Sequence, residues 1–213
     1  MPQPIAMLIA ELQSPDEFVR AQATFALGML GEPAVGPLIE LLQRSDHTMR
    51  VRAALALGVI GQPAANALLE LAKSSDVRLR VEAIRILGAI GEGRAYSELI
   101  AALTESDVQV AQRAATALGR IGDPRAIAPL TQALQHPAPD VRYTVCHALA
   151  ELGLPEAIAP LMQIAQHDRG MTSWGESVAA AATHALENIR ANYPDHRADP
   201  VIVGQHNGRS DHI

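Results

Sequence analysis

A chain of 213 residues with 48% apolar content can bury a substantial core, while an aromatic share of only 3% excludes one built on Tyr, Phe and Trp. The formal charge is −6 and Lys73 is the sole lysine, so no basic block exists for cooperative neutralisation of phosphates and no nucleic-acid partner is expected. The single cysteine, Cys146, excludes an intrachain disulfide framework and a cysteine-rich zinc site.

Taken in chain order, the opening MPQPIAMLIAELQ has no basic leader and is interrupted by Glu11, so it reads as a helix and not as an export signal. Ser14-Pro15-Asp16-Glu17 has the form of a capping box and starts the next helix. That helix ends on FALGMLG at 25–31, and the signature returns as LALGVIG at 55–61, RILGAIG at 85–91, TALGRIG at 116–122 and HALAELG at 147–153, with a weaker HALENIR at 184–190. The first four steps are 30, 30, 31 and 31 residues, a register that marks a repeat protein. Before each signature runs one helical apolar face, for example Val19, Ala23, Ala26, Leu27 and Leu30. After it comes a second, for example Leu38, Leu41 and Leu42. Each unit is therefore two short amphipathic helices that need the neighbouring unit to bury their apolar faces.

The punctuation agrees with the period. Gly31, Gly61, Gly91, Gly122 and Gly153 stand where a helix must stop, and Pro33, Pro63, Pro124 and Pro155 stand where the next begins. Gly28, Gly58, Gly88 and Gly119 fall inside the helical register, where close helix approach or an early helix end is the expected compensation. Ser75-Asp76 and Ser106-Asp107 are simpler helix starts. At 167–177 the stretch HDRGMTSWGES breaks the array as an insertion. From 193 onward a polar sequence without helical periodicity reads as a mobile tail, in which Val201-Ile202-Val203 is a candidate docking segment. Residues 1–192 are thus expected to form one solenoid, all-α and right-handed, of about five two-helix repeats plus an atypical last unit.

Glu17-Phe18-Val19-Arg20 leading to Ala26-Leu27-Gly28, Asp76-Val77-Arg78-Leu79-Arg80 leading to Leu87-Gly88, the run from Gly122 to Leu130, and Asp140-Val141-Arg142 leading to Ala148-Leu149 resemble HEAT-like repeats of the phycobilisome lyase type, over about residues 5–190. The resemblance implies that the Val-Arg helices line the inner surface and the Pro-Leu-Leu helices the outer one. It also implies a possible bilin chromophore as ligand, with Arg85 on a propionate and Tyr143 or His147 on the pyrroles. The iron hydroxylases of similar fold use paired His-Glu motifs. None of the eight histidines here is followed by Glu, so no metal is expected.

At 100° per residue, the ridge opposite the first core face holds Ala21, Phe25 and Gly28. Its repeats give one row of Ala21, Val51, Val81, Gln112 and Tyr143 and another of Phe25, Leu55, Arg85, Thr116 and His147, a groove that runs from apolar to polar. Phe25 and Leu55 are the expected partner anchors, with polar definition from Arg52 and Arg85, although packing against a terminal cap is an equal reading. Trp174 either extends the surface near Tyr143 and His147 or anchors the insertion. Arg20, Arg50, Arg80 and Arg142 recur in register, the first three with Asp16, Asp46 and Asp76 four residues earlier; an internal Arg-carboxylate ladder is favoured over an anion-binding strip. Cys146 and His147 point about 100° apart on a helix, which makes a poor catalytic pair. With no convergent catalytic constellation, the expected protein is a non-catalytic scaffold for a protein partner, without membrane insertion and located in the cytoplasm. The alternative is a subunit of a bilin lyase or bilin-removing factor.

Overall fold

The computed structural model describes residues 4–44 and 46–193. Within them lie α1 (Ile5–Glu11), α2 (Glu17–Leu30), α3 (Glu32–Arg44), α4 (His47–Ile60), α5 (Ala65–Leu71), α6 (Val77–Ala89), α7 (Tyr96–Leu103), α8 (Val108–Ile121), α9 (Ile127–Ala133), α10 (Pro139–Leu152), α11 (Ile158–His167) and α12 (Val178–Asn192). The expected tail beyond Tyr193, with Val201-Ile202-Val203, lies outside the described residues.

Five helices of the even-numbered row start from a side-chain cap, and α10 starts from Pro139 at its first position. Asp16, Asp46, Asp76 and Asp107 are N-caps whose carboxylates accept backbone N–H groups of the first turn, and Ser177 caps α12. The helices stop at the repeated glycine: at Gly122 φ is 71° and ψ 18°, a left-handed conformation that a Cβ would strain. A single 3-10 turn then redirects the chain into the short outer helix in four of the units, with Pro63, Pro124 and Pro155 in that turn and Gly93 in the exceptional one.

The helices pair as α1/α2, α3/α4, α5/α6, α7/α8, α9/α10 and α11/α12, and the pairs stack into a double layer. Even-numbered helices touch their even-numbered neighbours far more extensively than the odd-numbered ones touch theirs, so the layer bends with the even row inside. The core between the rows repeats with the sequence. Leu27, Leu57, Leu87, Leu118 and Leu149 of the inner row, and Leu38, Leu68, Leu99, Leu130 and Leu161 of the outer row, are all completely buried. Burying one such leucine contributes about 1.5–3 kcal/mol.

Inside the even row, Gly88 and Gly119 mark close helix approach. A Cβ on Gly88 would lie 2.6 Å from the Ala117 Cβ, and one on Gly119 would lie 2.9 Å from the Ala148 Cα. Gly28 likewise abuts Val59, so it belongs to the α2–α4 contact and not to the exposed ridge on which the helical wheel placed it. Gly58 has nothing near it, and α4 packs more sparsely on α6 than the other inner neighbours pack on each other.

Candidate inner-surface binding site

The exposed line along each inner helix is set by 3.6-residue geometry. On α2 it passes through Phe18, Ala21, Phe25 and Met29, and on α4 through Val51, Leu55 and Val59. Phe25 is 64% and Leu55 54% exposed, as their positions opposite the core require, and Met29 and Val59, one turn further on, extend the same stripe. Sequence reasoning missed Met29 and Val59 because it centred the ridge on Gly28. Stepping four residues from Phe25 and from Leu55 would have found both.

The polar residues assigned beside this stripe are engaged elsewhere. Arg52 donates from Nη1 to the Leu12 carbonyl at 2.6 Å and so ties α4 to the end of α1. Arg85 pairs with Glu82 one turn back, at 2.8 Å. The free donors lie one repeat further along, on α8. Arg113 and Arg120 flank Thr116 on successive turns, and neither forms an ion pair among the described residues. Between α6 and α8 is a hollow of about 180 Å³ lined by Arg85, Gly88, Arg113, Thr116, Ala117 and Arg120. A neighbouring hollow of about 320 Å³, lined by Gln109, Gln112, Arg113, Thr116 and Thr144, continues toward α10.

Beyond it the groove ends in rings. Tyr143 lies 4.8 Å from His147 and 5.6 Å from Trp174, the latter edge-on at 88°, and His184 of α12 lies 6.4 Å from His147. Trp174 is 53% exposed, so it both packs on Tyr143 and presents a face to solvent. Burial first, and then the charge of His184, lower the His147 pKa, with Glu151 opposing. Burial and His184 both favour the uncharged imidazole at His147. The insertion that carries Trp174 is pinned: Ser173 donates to Asp140 through its N–H at 3.2 Å and through its hydroxyl at 2.6 Å, and Thr172 and Glu176 close a tight turn. Cys146 sits in the core, where burial pushes its thiol up to about 12, so no thiolate is available beside His147.

The recurrent arginines are structural in a way the spacing did not show. Arg20 donates to the carbonyls of Ser14 and Pro15, Arg80 to those of Ser74 and Ser75, and Arg142 to those of His136 and Pro137, each clamping the turn before its own helix. The aspartates four residues earlier, Asp16, Asp46 and Asp76, are turned back onto the helix amides as caps. The ion pairs instead reach forward by one repeat, from Arg80 to Glu105 and from Arg142 to Asp168, both at 2.7 Å. Arg50 holds the equivalent half-buried position on α4.

A curved double layer of helix pairs, with a repeated core and a continuous inner groove, defines an α-solenoid repeat protein. The family profile described as HEAT repeats matches residues 5–78, 37–117, 66–135 and 96–187, and the chain belongs to that family. Among solved structures, the complex of CpcE and CpcF of phycocyanin lyase from Nostoc sp. PCC7120 has a TM-score of 0.64 at 24% identity, over 72% of this chain and 98% of that one. Importin beta has a TM-score of 0.61 at 18% identity, over 88% of this chain but 31% of that one. A designed armadillo repeat protein in complex with the peptide (KR)4 has a TM-score of 0.55 at 19% identity, over 88% of this chain and 100% of that one. No curated protein matches the sequence.

Proposed function

We propose that this protein is a non-catalytic scaffold that holds a segment of a protein partner along its inner surface. The observation that carries the reading is the exposed stripe of Phe25, Met29, Val51, Leu55 and Val59 on α2 and α4. These side chains contribute little to the core, which is filled from the other face of the same helices, and a contiguous apolar surface of this kind is typical of interaction sites. The fold supports an extended ligand, since a designed repeat protein of similar architecture forms a complex with a peptide.

The test compares wild type with the double variant Phe25→Ala/Leu55→Ala in affinity capture from the native extract, followed by titration of the captured protein. Each truncation is expected to weaken binding by more than about 1 kcal/mol if the residue is central and dry. Undiminished affinity in a variant of unchanged helical content rejects the site. A parallel incubation with free bilin and apo-phycobiliprotein addresses the bilin-lyase alternative, which places Arg85 on a propionate. Glu82 already pairs with Arg85, and Tyr143 and His147 lie two inner helices away on α10, so no spectral change or adduct is expected. A covalent adduct would replace the scaffold reading with the enzymatic one.

A further inference from the structure

We infer that the hollow between α6 and α8 is a subsite for acidic side chains, so that the partner segment carries apolar residues for the α2–α4 stripe and, further along, carboxylates for Arg113 and Arg120. The inference deepens the scaffold reading and rests on it. Arg113 and Arg120 stand seven residues apart on one face of α8 and line a single hollow of about 180 Å³ with the Thr116 side chain between them. A segment following the groove crosses α8 there, with one guanidinium on each side. Among the described residues no carboxylate neutralises the pair. Glu82 is taken up by Arg85, and Glu151 lies over Gly119 without forming an ion pair with Arg120. Two guanidiniums without an ion pair among the described residues, in a groove of a chain whose formal charge is −6, favour a local anion over a basic ligand.

Carboxylates fit better than a nucleic-acid backbone. Two arginines are too few for the cooperative phosphate contacts that give nucleic acids their affinity, and the adjoining stripe calls for aliphatic or aromatic side chains. Geometry also sets the spacing. Packed helices lie about 8–10 Å apart and an extended chain advances about 3.3–3.6 Å per residue, so the apolar anchors and the acidic residues should be separated by about seven residues.

Labelled synthetic peptides are the probe. Each carries a pair of leucines, a Gly/Ser spacer of about seven residues and a pair of Glu, Ser or Lys residues, in both block orders, and is titrated by fluorescence anisotropy. On wild type, the Glu peptide of one order is expected to bind at least about tenfold more tightly than its Ser counterpart, with the Lys peptide weakest and the gap narrowing as salt rises. Arg113→Ala/Arg120→Ala should abolish the Glu-over-Ser difference while leaving Ser-peptide binding intact, which also shows that the variant is folded. Phe25→Ala/Leu55→Ala should weaken both peptides alike. Equal binding of Glu and Ser peptides to wild type overturns the acidic subsite but leaves the scaffold reading standing, and so does displacement of the Glu peptide by an oligothymidylate. Absence of binding by every peptide also rejects the subsite. The scaffold reading falls only if capture from the extract is also indifferent to Phe25 and Leu55.

Discussion

Alanine in place of glycine is expected to act in opposite directions at two equivalent inner-helix positions. At Gly58 a Cβ meets nothing, so Gly58→Ala should stabilise by about 0.5–1 kcal/mol through helix propensity alone. At Gly88 the new Cβ would lie 2.8 Å from the Ala117 Cα, so α6 and α8 must part, and Gly88→Ala should destabilise by about 1–3 kcal/mol. Denaturant midpoints of the two variants check this, and a shift of the same sign in both would contradict the spacing of the inner row. A second pair tests the facing of α6. Leu87→Ala removes a fully buried side chain and should cost about 2–5 kcal/mol. Arg85→Ala breaks a partly buried i, i+3 pair with Glu82 at the groove surface and should cost about 1 kcal/mol, less than the leucine. Smallness at the glycines was legible in the sequence because it recurs. Which glycine has a close neighbour was not, because that depends on the step between helices and not on the residue's own helix.

Between elements, Arg142 joins the turn before α10 to the insertion after α11. Its Nη1 holds the His136 and Pro137 carbonyls while Nε and Nη2 grip Asp168, which also accepts the Gly170 N–H at 2.7 Å. Both side chains of the ion pair are largely buried, so Asp168→Asn should cost about 3 kcal/mol. The hydrogen bonds from Arg142 hold the Asp168 carboxyl below its ordinary value of 3.8, against an opposing effect of burial. A depressed folded pKa gives stability that is complete above the unfolded value and is lost as pH falls through the folded one. The difference in unfolding free energy between wild type and Asp168→Asn should therefore be constant from neutral pH down to about 5 and shrink below 3.8. A difference that persists undiminished at pH 2.5 in urea titrations, ~1 unit below that value, would show that the carboxylate's charge is not what matters. The periodicity of Arg20, Arg50, Arg80 and Arg142 announced a structural series. Its acidic partners were illegible because Glu105 and Asp168 lie one repeat away in sequence, while the nearer aspartates have a competing use as caps.

Across the whole molecule, the period and the turn glycines were legible, because each is a local rule applied repeatedly, whereas the assignment of inner and outer rows came from the resemblance to HEAT-like repeats. The composition of the groove was legible at Phe25, Leu55, Tyr143 and Trp174. It was not at Arg52, whose long side chain reaches the Leu12 carbonyl at the end of α1, a partner that no spacing reveals, whereas the pairing of Arg85 with Glu82 is an i, i+3 contact within one helix. The same repeat logic bears on how the protein unfolds. In a solenoid each unit is stabilised mainly by its neighbours, so the weakest interface divides the array. Here that interface is the α4–α6 step, where Gly58 is uncovered and the inner helices meet least. On its N-terminal side α2 and α4 also leave Phe25, Met29, Leu55 and Val59 in solvent, whereas on its C-terminal side α6, α8 and α10 pack closely and the Arg142 clamp fastens the insertion. The N-terminal pairs should therefore open at lower denaturant than the rest. Trp174, the only tryptophan, lies against Tyr143 in the C-terminal block and reports on that block alone, while far-UV circular dichroism reports on all helices. In a urea titration the dichroism should begin to fall before the Trp174 emission shifts, and amide exchange should be fastest in α1 to α4. Gly58→Ala should leave the order unchanged because it adds no contact across the step, whereas coincident transitions by both probes would mean that the α4–α6 interface transmits cooperativity as fully as the others.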